Sequence, residues 1–231
     1  MEERNQLIIE QLVAASCPLD ELRSFAIQEK VDSSSERLNK WPLRKSDVIA
    51  MQTILDIAIN CGLHISKCWN DIIKCTEYIW EVEKYLFGIV VQDPISLISP
   101  ISFNDYIGHE VQHIDDILSN DSNDNLNSHT ACQILQFLIS SANRFYERVG
   151  KELNLASLCE LMQYLVIASE NCQNYANSQK SNSLVDPTVI LGRIFAISTT
   201  LSTRPLIHAM KIWPKVSHHI VQITVYLVAL P

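Results

Sequence analysis

Apolar residues recur at three- and four-residue intervals along most of the chain, and that spacing predicts helices arranged in pairs. The clearest pair spans residues 43–88. Behind Ser46, the expected N-cap, Val48, Met51, Leu55 and Ala58 form one stripe and Ile54, Ile57 and Cys61 a second, leaving Gln52, Asp56 and Asn60 as a narrow polar strip. A helix apolar on both flanks needs neighbours on both sides, so it belongs inside a layered stack. Gly62 is expected to end it at the C′ position. The next helix is read from Ser66 to Gly88, with Cys68, Ile72, Cys75, Ile79, Val82 and Leu86 inward and Lys67, Asp71, Lys74, Glu77, Glu81 and Lys84 largely on the other side.

The same periodicity extends in both directions. Leu7, Ile8, Gln11, Leu12 and Ala15 predict a first helix, and Leu22, Phe25, Ala26 and Val31 a second beginning near Leu19, with Pro18 between them. Residues 32–40 read as a polar linker and Trp41-Pro42 as extended chain. After Gly88 the pattern changes: Pro94, Pro100 and the polar run 119–127 mark an insert in which only 103–118 has a helical pattern. Ser128, a second expected N-cap, opens a helix carrying Ala131, Leu135, Leu138, Ala142, Phe145 and Val149 up to Gly150, and Asn154 opens another through Leu158, Met162, Leu165 and Ser169. A polar stretch at 174–183 precedes the last pair. There Asp186-Pro187 starts a helix with Ile190, Leu191, Ile194, Phe195, Ile197 and Leu201. Arg204-Pro205 starts another, with Leu206, Met210 and Trp213 inward and Pro214 kinking or restarting it.

No segment sustains a period of two. The expected fold is all-α, an armadillo- or HEAT-like α-solenoid of stacked antiparallel helix pairs. It divides into N-terminal helix pairs (1–87), a variable polar insert with one short helix (88–127) and C-terminal helix pairs (128–231).

At 231 residues, 47% hydrophobic and 19% charged, the chain can bury a sizeable core. Its net charge of −8 argues against a nucleic-acid binder, which shows a basic face to phosphates, and more weakly against direct adsorption to anionic lipid. The seven cysteines include no C-x-x-C pair and the chain starts with no secretory pattern, so they read as reduced core thiols of a cytosolic protein. Residues 216–230 contain His218, His219 and Gln222 and fall short of the ~20 apolar residues a bilayer span needs, which predicts a buried helix and no transmembrane segment.

One motif carries possible chemistry. His109-Glu110-Val111-Gln112-His113 satisfies H-E-x-x-H, in which two histidines four apart on a helix bind Zn²⁺ and the glutamate acts as general base on the metal-bound water. Its surroundings argue for an accidental match. Asp115 and Asp116 follow where such helices are apolar, no G-x-x-H supplies a third ligand, and Glu147 or Glu152 would have to reach it from a helix that already has a core face. Cys61, Cys68 and Cys75 recur every seven residues as packing residues, and the pair His218-His219 reads as a helix-surface pair. Glu81 and Glu83 point in different directions, so they form no paired-carboxylate site. With no G-x-x-x-x-G-K-[ST] loop, P-loop nucleotide binding is excluded. No catalytic, metal or cofactor residue is assigned.

Function is legible only by resemblance. The segment KSDVIAMQTILDIAINCGLHISKCWNDIIKC, with SSANRFYERVGKELNLASLCELMQYLVIAS and STRPLIHAMKIWPKVSHHIVQ after it in the same order, resembles the helical region that follows the catalytic domain in the large brefeldin A-inhibited guanine-nucleotide exchange factors for Arf GTPases. It is most like the divergent third paralogue of that family. The three blocks run from about Leu43 to Val221, and after Val221 the sequence departs from the family pattern, as a fragment or a mis-spliced end would. In that family exchange belongs to a separate helical domain whose glutamate finger enters the GTPase, and no stretch here resembles it. The resemblance therefore implies a non-enzymatic regulatory and scaffolding segment in Golgi vesicle trafficking, without a cofactor. It would be cytoplasmic and peripheral to Golgi or related membranes through its parent protein. The implied partners are other segments of the parent, an Arf-type GTPase or trafficking adaptors. A zinc metallopeptidase built on His109, Glu110 and His113, and an unrelated helical-repeat adaptor, are the alternative readings.

Overall fold

The two apolar stripes of residues 48–58 cannot be covered by one neighbour, and in the computed structural model they are covered from both sides. The structure describes residues 2–28, 34–61, 68–87, 125–179, 194, 197–198 and 201–228. In chain order its helices are α1 (Glu2–Ser16), α2 (Leu19–Gln28), α3 (Ser34–Lys40), α4 (Lys45–Cys61), α5 (Trp69–Phe87), α6 (Ser128–Glu152) and α7 (Leu155–Gln179), then a 3-10 turn (Leu201–Thr203) and α8 (Leu206–Val228). Val48, Met51, Ile54, Leu55 and Ala58 of α4 are all buried, against α1, α5 and α6. α5 is more enclosed still. It packs on α1, α2, α3, α4, α6 and α7, and nearly every residue from Trp69 to Leu86 is buried or half-buried. The fold is an all-α, solenoid-like stack, with no strand among the described residues.

The helix starts differ from the sequence reading in small, physical ways. Ser46 does not cap α4: the amides of Asp47 and Val48 both donate to the Arg44 carbonyl, and the Ser46 hydroxyl turns to Asp47 Oδ1 instead. At α6 the cap is Asn127, not Ser128, its side-chain oxygen accepting from the Thr130 amide at 3.0 Å. Asn154 caps α7 as expected, accepting from the Ser157 amide at 2.9 Å. Gly150 does not end α6. The helix runs on to Glu152, and the guanidinium of Arg204 reaches over from the 3-10 turn to donate to the carbonyls of Gly150 (3.1 Å) and Leu153, satisfying groups that a helix C-terminus leaves open. One cap is thereby moved from a glycine to a distant arginine.

Residues 32–40 are not a linker throughout, since Ser34–Lys40 forms α3. A seven-residue helix with one apolar anchor shows no period. It is held from outside, by the buried Leu38 and by Arg37 Nη1 donating to the Tyr85 carbonyl at 2.9 Å. Nearby the chain enters α4 beside its entry to α6: the Leu126 amide donates to the Leu43 carbonyl at 3.2 Å, and Arg44 pairs antiparallel with Asn125.

Two helices turn the other way from the reading. In α1 the buried line is Ile9, Val13 and Ser16, with Leu7 and Ile8 exposed. In α8 it is Ile212, Val216 and His219 that pack toward α7, whereas Leu206, Met210 and Trp213 face outward. Both helices are apolar on two sides, and periodicity finds the sides without telling which one a neighbour takes. Pro214 does not restart α8. It lies on the exposed side, where the Met210 carbonyl it leaves without a helical donor can be met by water. Gly62, Ser66, Gly88, the helical pattern at 103–118, Pro187, Ile190, Leu191 and Phe195 lie outside the described residues.

Candidate functional site

A helix surrounded on every side must either be apolar throughout or satisfy its polar groups internally, and α5 does the second. Glu77, Glu81 and Glu83, read above as ordinary helix-surface or unpaired carboxylates, are all buried. Glu77 and Glu81, one turn apart, share the guanidinium of Arg23 from α2, whose Nη2 lies 3.3 Å from Glu77 Oε2 and 3.5 Å from Glu81 Oε1. Burial raises the Glu81 carboxyl to about 7, against the opposing pull of Arg23 and Lys84. Glu81 Oε2 has no hydrogen-bond partner among the described residues. Burial alone also raises Glu83 to about 7. Glu83 lies close enough to Cys132 of α6 for its charge to add to burial in pushing that thiol up.

A second polar knot joins α5 to the N-terminal helices. The Cys17 thiol, at the end of α1, hydrogen-bonds with Cys75 of α5 and lies 3.5 Å from the Ser16 hydroxyl; the bond to Cys75 lowers the thiol below its ordinary value despite burial. One turn along α5, the Tyr78 hydroxyl accepts from the Trp41 indole at 3.0 Å, and burial drives that phenol upward. The Trp41 ring in turn lies 5.4 Å from Phe25. On the far side Thr76 and Tyr146 hydroxyls meet at 2.9 Å, linking α5 to α6. Cys68 and Cys75 are both buried packing residues, and the Cys17–Cys75 contact is the part spacing could not reveal.

These groups fasten helices together. Among the described residues no cluster of three or more His, Cys, Asp or Glu side chains has the arrangement to hold a metal ion. His109, Glu110 and His113 lie outside the described residues. His219, read as a surface residue, is buried against α7, and burial holds its imidazole below the ordinary value, with Glu170 and Gln222 opposing. No helix of the described residues is long and apolar enough to cross a membrane.

What the stack presents outward is the other candidate. Along α8, Leu206, Ile207, Met210, Trp213 and Val221 are exposed large hydrophobics, and beside them Ser198, Leu201, Arg204, Leu206, Ala209 and Trp213 line a cleft of about 490 Å³. An exposed apolar helix face next to a concave site is the form of a surface that receives another chain.

The described fold is thus an all-α helical stack with buried polar groups along α5 and an exposed apolar face on α8. The chain resembles brefeldin A-inhibited guanine nucleotide-exchange protein 3 of Mus musculus, 21% identical over 277 aligned positions covering 92% of this chain. It resembles the same protein of Homo sapiens at 22% over 278 positions, again 92% of the chain. The chain spans 13% of the length of these curated relatives. No family model matches it, and no solved structure does.

Proposed function

We propose that this chain is a non-catalytic regulatory and scaffolding segment of a large Arf guanine-nucleotide exchange factor-like protein, acting in vesicle trafficking. The observation that carries the reading is the coverage: the similarity to the exchange proteins runs over 92% of the chain rather than over one helix pair. The all-α stack supports it, because α5 spends its polar groups on neighbouring helices. In this reading 1–87 and 128–231 are two runs of stacked helix pairs and 88–127 is a variable insert between them. Partners are other parts of the parent protein, an Arf-type GTPase or trafficking adaptors, and the parent brings the segment to Golgi or related membranes. The test is release of a fluorescent GDP from an Arf GTPase. The isolated chain should leave the spontaneous rate unchanged. A concentration-dependent acceleration would place exchange activity in this chain and overturn the reading.

A further inference from the structure

Cys17 sits at the turn between the first two helices. Its amide donates to the Val13 carbonyl at 2.9 Å and its carbonyl accepts from the Leu19 amide at 2.8 Å, so its backbone is fixed to α1 on one side and to α2 on the other. The side chain turns inward, 6% exposed, and its sulfur is hydrogen-bonded with that of Cys75 on α5, which is fully buried. The charge that either thiol would carry adds to the upward push on the Tyr78 phenol, one turn along α5, and this places both sulfurs beside the same ring. Both are free thiols. Their surroundings give them different roles. Cys17 is the thiol held below its ordinary value, first by the bond to Cys75 and further by the Ser16 hydroxyl at 3.5 Å, with burial and the Asp47 carboxylate of α4 opposing. It is also the one whose edge reaches solvent, whereas Cys75 is enclosed by the stack. A thiol with more thiolate character and some access is the nucleophile, and its enclosed neighbour is the group that resolves the product.

We propose that Cys17 and Cys75 are an oxidation-responsive pair that closes into a disulfide and pins the turn between α1 and α2 to the middle of α5. The oxidant is a peroxide, small enough to reach the edge of Cys17. The Cys17 thiolate attacks one peroxide oxygen, an S–O bond forms as the O–O bond breaks, and the other oxygen leaves as hydroxide, which takes up the proton Cys17 released and becomes water. The Cys75 sulfur then attacks the sulfenic sulfur of Cys17, the S–S bond forms as the S–O bond breaks, and the oxygen leaves as a second water with the Cys75 proton. Two thiols have lost two electrons and two protons, and one hydrogen peroxide has become two waters. The bond closes a loop that contains α2, α3 and α4, so it constrains the unfolded chain. The folded chain changes little, because the two sulfurs already meet.

Peptide mapping of the full chain after treatment with hydrogen peroxide tests this. Once the remaining thiols are alkylated, trypsin releases Cys17 on residues 5–23 and Cys75 on 75–84, with Cys68 apart from them on 68–74. The folded protein should yield peptides 5–23 and 75–84 joined, two hydrogens lighter than their sum, and dithiothreitol should separate them. The thermal midpoint of the treated protein should rise by about 5–10 °C and return on reduction. In Cys75→Ala, Cys17 should stop at the sulfenic acid and be trapped by dimedone, a product the wild type does not retain. The wild-type map decides even where that variant fails to fold. Cys17 and Cys75 both alkylated after treatment, or Cys17 joined to a different cysteine, overturns the proposal. So does a joined pair that forms only when peroxide is added to urea-unfolded protein. Closure that leaves the midpoint where it was overturns the pinning of the turn to α5.

Discussion

Trp69 lies fully buried at the start of α5 with its ring 6.1 Å from that of Phe145, and its indole Nε1 has no hydrogen-bond partner among the described residues. Trp69→Ala therefore removes a large apolar volume and should cost on the order of 3–5 kcal/mol, visible as a clear drop in thermal midpoint. Trp69→Phe should cost much less, because it gives up an unpaired N–H along with the lost ring area. A Phe variant as unstable as the Ala variant would show that the indole N–H has a partner. Glu81 gives a pH test with a definite sign. Its folded value is raised from 4.5 to about 7, so the folded state holds a proton the unfolded state has lost in that window, and stability falls as pH rises through it. The contribution is on the order of 3 kcal/mol at most. Glu83, Asp47 and Asp71 act in the same direction, and His219, whose value is lowered, acts against it below its ordinary value. The thermal midpoint should rise between pH 7.5 and 6.5, and by less in Glu81→Gln; an unchanged pH profile in that variant would mean the carboxylate is ionised at neutrality. The burial of Trp69 is legible in the sequence from its place on an apolar helix, whereas that of Glu77, Glu81 and Glu83, which look like solvated positions there, is not. Three carboxylates become interior only because six helices close around α5.

At the scale of the element, Arg204 is the cap that sequence rules assign to Gly150. Arg204→Ala should leave the Gly150 and Leu153 carbonyls without their donor and cost about 1–2 kcal/mol, comparable to losing an ordinary helix cap. Asn127→Ala, at the other end of α6, should cost about 1 kcal/mol. Thermal or urea unfolding measures both, and additive losses in the double variant are expected because the two ends act independently. The helices themselves were readable from spacing: of the seven residues its two stripes name, α4 buries Val48, Met51, Ile54, Leu55 and Ala58 and half-buries Ile57. The facing of α1 and α8 was not. Ile9–Val13 and Leu7–Ile8, or Ile212–Val216 and Met210–Trp213, satisfy the same period, and only the neighbour decides between them. α3 was invisible because Leu38 alone cannot make a pattern.

For the whole molecule, a stack with α5 at its centre should unfold as one helical unit, and far-ultraviolet circular dichroism should show helix with no substantial sheet component. The sequence reading of function came through resemblance, and the described site adds packing rather than chemistry to it. His109→Ala and Glu110→Ala should leave the melting temperature unchanged, and purified protein should carry no stoichiometric zinc by metal analysis. Zinc at one per chain, lost with stability in His109→Ala, would move the protein to the metallopeptidase reading.

The backbone pairing of Leu43 and Arg44 with Leu126 and Asn125 sits beside the tether of Arg37 to the Tyr85 carbonyl. The chain that leaves α5 and the chain that enters α6 are thus each tied to the segment that runs from α3 into α4, which fixes the two ends of the connection between them. The entropy of closing such a loop grows only with the logarithm of its length, so doubling it costs about 0.6 kcal/mol. If the connection is an insert outside the stack, halving its length should shift the thermal midpoint by no more than this small entropy implies, and a large loss of stability on shortening it would show that it packs on the helices.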